Sequence, residues 1–132
     1  MTKLTCFLAD QSGSMGSPST NADEGKEYSR LDFVKQSMIF AVNALSENTL
    51  FCVVTFENRA NTVISPVKIN SSNKDLIIDT IKAIRPTGGT NIMAGLQMCK
   101  SICDTNSSCD CSIIMLSDGE DYNLNVNNIT EK

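Results

Sequence analysis

Three short, largely apolar runs constrain this chain more than any other feature: Leu4–Ala9, Leu50–Phe56 and Cys111–Leu116, each holding a single Thr or Ser and stopped by polar residues. Runs of this length without alternation fit strands buried on both faces, as in a parallel sheet, and such a sheet needs helices to cover it. Those helices are legible between the runs. Leu31, Val34, Met38, Ala41, Val42 and Leu45 recur at intervals of three and four and line one face of an amphipathic helix. Leu76, Ile77, Ile81 and Ile84 make a second helix, with Ser72 and Asp75 spaced almost as a capping box and Pro86 ending it. A third stripe, Ile92, Leu96, Cys99, Ile102 and Cys103, follows Thr87-Gly88-Gly89-Thr90-Asn91, in which Thr90 or Asn91 is the candidate N-cap. Glu57–Asn61 supplies a turn into Thr62-Val63-Ile64, a hairpin with the second run, and Pro66 marks its outer edge. The stretch from Pro18 to Ser29 is polar and aperiodic and reads as a surface excursion.

Strand, helix, hairpin, two helices and strand is the order of a Rossmann-like, three-layer α/β/α domain, with a mainly parallel sheet and one antiparallel edge strand. At 132 residues it is one domain, and 41% hydrophobic with 20% charged residues is the composition of a folded one. Eleven basic against fifteen acidic residues leave a net charge of −4, which gives no footprint for nucleic acid or an anionic membrane. The absence of histidine removes Ser-His-Asp and Cys-His catalysis and every His-containing metal site. No phosphate-binding loop of the G-x-x-x-x-G-K-[ST] kind occurs. No apolar run approaches the roughly 18 residues of a membrane span, and Met1-Thr2-Lys3-Leu4 does not open a signal peptide, so an intracellular location is expected.

Six cysteines raise the question of disulfides or metal. Cys6, Cys52 and Cys111 lie in or beside strand-like runs, where a free thiol behaves as a small hydrophobe. Cys99, Cys103, Cys109 and Cys111 form a C-x3-C-x5-C-x-C cluster that lacks the paired C-x2-C knuckles usual for zinc. Asn70-Ser71-Ser72, Asn106-Ser107-Ser108 and Asn128-Ile129-Thr130 match the glycosylation pattern, which matters only on a secretory route.

In open α/β sheets the ligand site lies beyond the carboxyl ends of the strands. Three polar loops qualify: Asp10–Gly16, Thr87–Asn91 and Ser117–Asp121. Asp10, Ser12 and Ser14 stand at every second position directly after a strand, so their oxygens can converge. With the Thr90 hydroxyl and the Asp118 carboxylate they make an all-oxygen set, a hard environment suited to Mg²⁺ or Mn²⁺. Three neutral hydroxyls would leave such an ion electrophilic and open to an external acidic oxygen. Glu120 and Asp121 read as a solvated acidic turn beside it.

At these residues the chain resembles the von Willebrand factor A domains, whose metal-ion-dependent adhesion site carries D-x-S-x-S, a distant Thr and a distant Asp. All five positions are present: Asp10-Gln11-Ser12-Gly13-Ser14, Thr90 and Asp118. The resemblance spans essentially the whole chain. It implies that Ser12, Ser14 and Thr90 ligate the ion and that Asp10 and Asp118 act directly or through water. Asp10 would also orient the serines. It further implies a non-enzymatic module whose protein partner contributes a Glu or Asp carboxylate to the metal.

That family has about six strands, and this chain stops soon after Asp118, so a C-terminally truncated domain is expected. On that expectation the fourth strand is a bare apolar edge to be covered by a dimer or a fused segment, and Asn123–Lys132 is a linker running into a helix. Two other functions compete. One is a truncated fragment without independent binding. The other is a phosphotransferase of the haloacid-dehalogenase type, imitated by Asp10 and Asp118-x-x-Asp121, although Ser12 stands where that chemistry needs a second Asp.

Overall fold

The computed structural model describes residues 2–16, 29–45, 48–117 and 120–125. Five strands, β1 (Lys3–Asp10), β2 (Thr49–Phe56), β3 (Ala60–Lys68), β4 (Asp110–Ser117) and β5 (Glu120–Asn125), form one sheet in the order β3-β2-β1-β4-β5. β1 is central and pairs in parallel with both β2 and β4. The hairpin expected from the Glu57–Asn61 turn is present, with β3 antiparallel to β2 and irregular in register around Val53.

The expected antiparallel edge is therefore β3. A second one, β5, was not legible: it pairs antiparallel with β4 from Ser117↔Glu120 to Ser112↔Asn125. This corrects the expectation of a bare β4 edge, because the chain's own main chain covers it, and the stated reason for a dimer or fused segment there falls away. Asn123–Asn125 are likewise strand rather than linker, while residues 126–132 lie outside the described residues.

Among the described residues, three helices cover the sheet. α1 (Arg30–Ala44) begins with a capping box the sequence reading missed. The Ser29 hydroxyl accepts from Asp32 N and the Asp32 carboxylate accepts from Ser29 N, satisfying two otherwise orphaned donors. α2 (Lys74–Lys82) corrects the box proposed for Ser72 and Asp75. Its N-cap is Asn73, without a side-chain cap bond. Ser72 N and Asn73 N instead donate to the Asn70 side chain, because an Asx turn competes locally for the same donors. Leu76, placed on the apolar face from its spacing, points out and is 70% exposed. α3 (Ile92–Thr105) is capped by Asn91, whose side chain accepts from Ala94 N at 3.0 Å.

Strand alternation makes two cores, one on each face of the sheet. Phe7, Ala9, Phe51, Val53 and Leu116 face α1 and α2, meeting Leu31, Val34, Met38, Ile77 and Ile81. Leu4, Leu8, Cys52, Val54, Phe56 and Ile113 face α3 through Cys99 and Cys103. The layers are thus helix, sheet, helix, as expected. Close approach of α3 depends on Gly95, where a Cβ would stand 2.7 Å from Leu8 Cδ1 and 3.1 Å from Phe56 Cβ. Gly95→Ala is expected to destabilise by about 1–3 kcal/mol through overpacking, read as a lower urea midpoint with unchanged slope. Among the described residues the Thr55 hydroxyl has no hydrogen-bond partner. Thr55→Val keeps the shape and removes the unpaired group, so a gain of about 1 kcal/mol is expected in the same measurement.

The cysteines follow the packing reading: all six are free thiols, and all but the half-buried Cys109 are buried. Cys6 Sγ lies 3.2 Å from Cys99 Sγ and 3.7 Å from Cys52 Sγ. The bond with Cys52 pulls the Cys6 pKa down, but the bond with Cys99 and burial outweigh it and raise the pKa overall. The bond to Cys6, then burial, raises Cys52. Burial, with a bond to Cys111, pushes Cys103 up to about 12. Protonated, sequestered thiols of this kind are poor metal ligands.

Candidate metal centre

Parallel pairing sets the carboxyl ends of three strands side by side. Asp10, the last residue of β1, is level with Phe56 at the end of β2, and Ala9 is level with Leu116 near the end of β4. β2 lies to one side of β1 and β4 to the other, so Asp10 stands where the strand order reverses.

After Asp10 the chain turns into a short 3-10 turn, Gly13–Gly16, anchored by Met15, which is fully buried against the α1 side of the sheet. The turn folds the alternate oxygens together. Ser12 and Ser14 hydroxyl oxygens stand 3.1 Å apart. Asp10 is buried, and its Oδ1 accepts from Ser12 N at 2.8 Å, fixing the direction in which the serine loop leaves the strand. Ser12 is also buried, whereas Ser14 is exposed, so the pair opens toward solvent through Ser14.

The loop carrying Thr90 is stitched to this one by its main chain. Thr87 N donates to Gln11 O at 2.8 Å and Gly13 N donates to Gly88 O at 3.0 Å, a two-rung ladder outside the sheet. Gln11 adds a side-chain bond, Nε2 to Arg85 O at 2.7 Å, and its own N–H donates to Phe56 O at 2.9 Å. Gly88 takes φ 72°, a left-handed conformation open to glycine at little cost. A Cβ there would also stand 3.0 Å from Glu57 Oε1. Two residues on, Thr90 is exposed, and because Asn91 caps α3, the alternative role of Thr90 as the cap does not apply.

The structure therefore brings together the segments bearing Asp10, Ser12, Ser14 and Thr90. Asp118 lies outside the described residues, directly after Ser117, the end of β4. Glu120 and Asp121 belong to the main chain of β5. Sequence reasoning missed Gln11, Glu57, Asn58 and Gly88 as parts of the frame. The Gly-Gly pair was the visible signal for one of them, while Glu57 and Asn58 read only as a turn.

Among the described residues no three His, Cys, Asp or Glu side chains cluster so as to hold an ion. The converging donors are hydroxyls, with one buried carboxylate behind them. Such a set fits a hard divalent cation that keeps part of its coordination sphere for water or an external ligand.

The model of the von Willebrand factor type A domain matches residues 5–120. This chain belongs to that family. The solved structures agree on the fold. A von Willebrand factor type A protein from Catenulispora acidiphila superposes with TM-score 0.73 at 20% identity, over 85% of this chain and 25% of that one. The PilB minor pilin from Streptococcus sanguinis gives 0.69 at 21% identity, over 86% and 29%. Among curated proteins, calcium-activated chloride channel regulator 1 of Macaca mulatta is 29% identical over 126 residues, 92% of this chain but 12% of the relative. This von Willebrand factor A domain thus spans 12% of that curated relative and less than a third of those two solved chains. No helix among its described residues is long and apolar enough to cross a membrane.

Proposed function

We propose that this domain is a non-enzymatic protein-binding module whose divalent cation, Mg²⁺ or Mn²⁺, accepts a Glu or Asp carboxylate from a partner protein. Ser12, Ser14 and Thr90 would hold the ion, and Asp10 and Asp118 would act on it directly or through water. Asp10 also organises the serine loop. The observation that carries the reading is the 3.1 Å approach of the Ser12 and Ser14 oxygens over a buried Asp10 at the strand-order reversal. When bound, the ion would supply a Lewis-acidic centre. The chain's own residues leave it open to a partner through Ser14 and Thr90, both exposed. Six free cysteines support a reducing, intracellular setting for the module.

The test is a peptide display library panned in Mg²⁺ and again in EDTA. Enrichment of Glu- or Asp-bearing peptides only in Mg²⁺ is expected. Enrichment indifferent to EDTA, or of peptides without acidic residues, would sink the reading.

A further inference from the structure

The tip of the β2–β3 hairpin does more than turn the chain. Asn58 Oδ1 accepts from Gly89 N at 2.7 Å, one residue before Thr90. Around this bond, Asn91 N donates to Glu57 O at 2.6 Å and Asn91 Nδ2 to Asn58 O at 3.4 Å. The Thr90 segment is therefore gripped on one side by Gln11 and Gly13 of the serine loop and on the other by Glu57 and Asn58. The fit at Asn58 is close: a Cβ on Gly89 would stand 2.5 Å from Asn58 Oδ1. Asn58 is exposed and takes no part in either core, so core packing does not account for this side-chain bond.

We infer that Asn58 is a positioning residue for the metal centre: its carboxamide holds the Gly89 amide and so presents the Thr90 hydroxyl to the ion beside Ser12 and Ser14. This rests on the metal reading above. Without the Asn58 acceptor, the exposed side of the loop relaxes locally, since the main-chain bonds of Asn91 and Thr87 keep its ends in place. Metal binding then has to reorder Gly89 and Thr90, and the loss falls on affinity rather than on the fold. A residue that merely braced the fold would do the opposite.

The experiment is Mn²⁺ titration of the melting temperature for the wild-type chain, Asn58→Ala, Gly89→Ala and the double variant, each with a parallel melt in EDTA. For Asn58→Ala the apparent dissociation constant is expected to rise roughly five- to tenfold, the worth of one ordering hydrogen bond. Its melt in EDTA should fall by no more than about 3 °C. Gly89→Ala should weaken Mn²⁺ in the wild-type background, where its methyl meets Asn58, and cost little more once Asn58 is alanine. An Asn58→Ala constant within about twofold of wild type, with or without a lower melt in EDTA, overturns the inference. A wild-type chain that melts cooperatively with no response to Mn²⁺ overturns the metal reading itself, and Asn58's role with it.

Discussion

Asp10→Asn is expected to abolish the stabilisation that Mg²⁺ or Mn²⁺ confers while leaving the fold intact, and Asp10→Ala to abolish it at a further cost in stability. The two variants separate two duties. Asp10 Oδ1 accepts from Ser12 N, and an asparagine in the right rotamer keeps that acceptor while deleting the charge. Alanine deletes both and leaves the buried Ser12 amide without this partner, a cost of about 1–3 kcal/mol. The control is Cys99→Ala. Cys99 is fully buried against Cys6 in the opposite core, so its truncation lowers the melting temperature but should leave the metal-induced shift unchanged. Equal loss of the shift in Asp10→Asn and Cys99→Ala would show that the response reports general stability rather than a site.

The second large effect is alkaline unfolding. Cys6, Cys52 and Cys103 are all raised above the ordinary thiol value of 9.0 in the fold, Cys103 to about 12. Above pH 9 the unfolded chain releases these protons and the folded chain keeps them. The unfolded state then binds fewer protons, so stability falls as pH rises. Each such thiol contributes about 1.4 kcal/mol per pH unit, and the three together about 4 kcal/mol per unit once their unfolded counterparts are ionised. Their contribution is complete below pH 9 and drains away above it. Against a typical total of about 5–15 kcal/mol, the domain should unfold within a few pH units of that threshold. Urea midpoints from pH 8 to 10.5 under reducing conditions check this. A flat profile, or one unchanged in Cys6→Ala, would contradict it.

The parallel centre of the sheet was legible because Leu4–Ala9, Leu50–Phe56 and Cys111–Leu116 are apolar at all but one position each and too short for a buried helix, the pattern of a strand covered on both faces. α1 was legible through its spacing, and every residue of its stripe is buried or half-buried. β5 was not, because Glu120-Asp121-Tyr122-Asn123-Leu124-Asn125 carries few apolar residues. An edge strand owes its place to main-chain pairing with β4, which leaves little trace in side-chain pattern. The failed cap at Ser72 has the same character: Ser and Asn compete for the same amides, and Asn70 holds them through geometry that spacing does not encode.

At the site, chemistry was more legible than support. Alternation of oxygens after a strand announced Asp10, Ser12 and Ser14, and their approach depends only on a tight local turn. The frame joins Gln11 to Thr87 and Asn58 to Gly89, contacts between residues far apart in sequence. No local pattern reports them, and the Thr87–Gln11 bond runs through main chain whatever the side chain.

The most direct measurement of the central claim is calorimetric titration of the purified chain with Mn²⁺, followed by melts in EDTA and in saturating metal. One site per chain is expected, with an upward shift that saturates. At about 100 times the dissociation constant, linkage gives about 2.7 kcal/mol, or about 10 °C for a domain of this size. A cooperative melt that stays put through millimolar Mn²⁺ and Mg²⁺, with no heat of binding, would contradict the claim that Asp10, Ser12, Ser14, Thr90 and Asp118 assemble a metal centre.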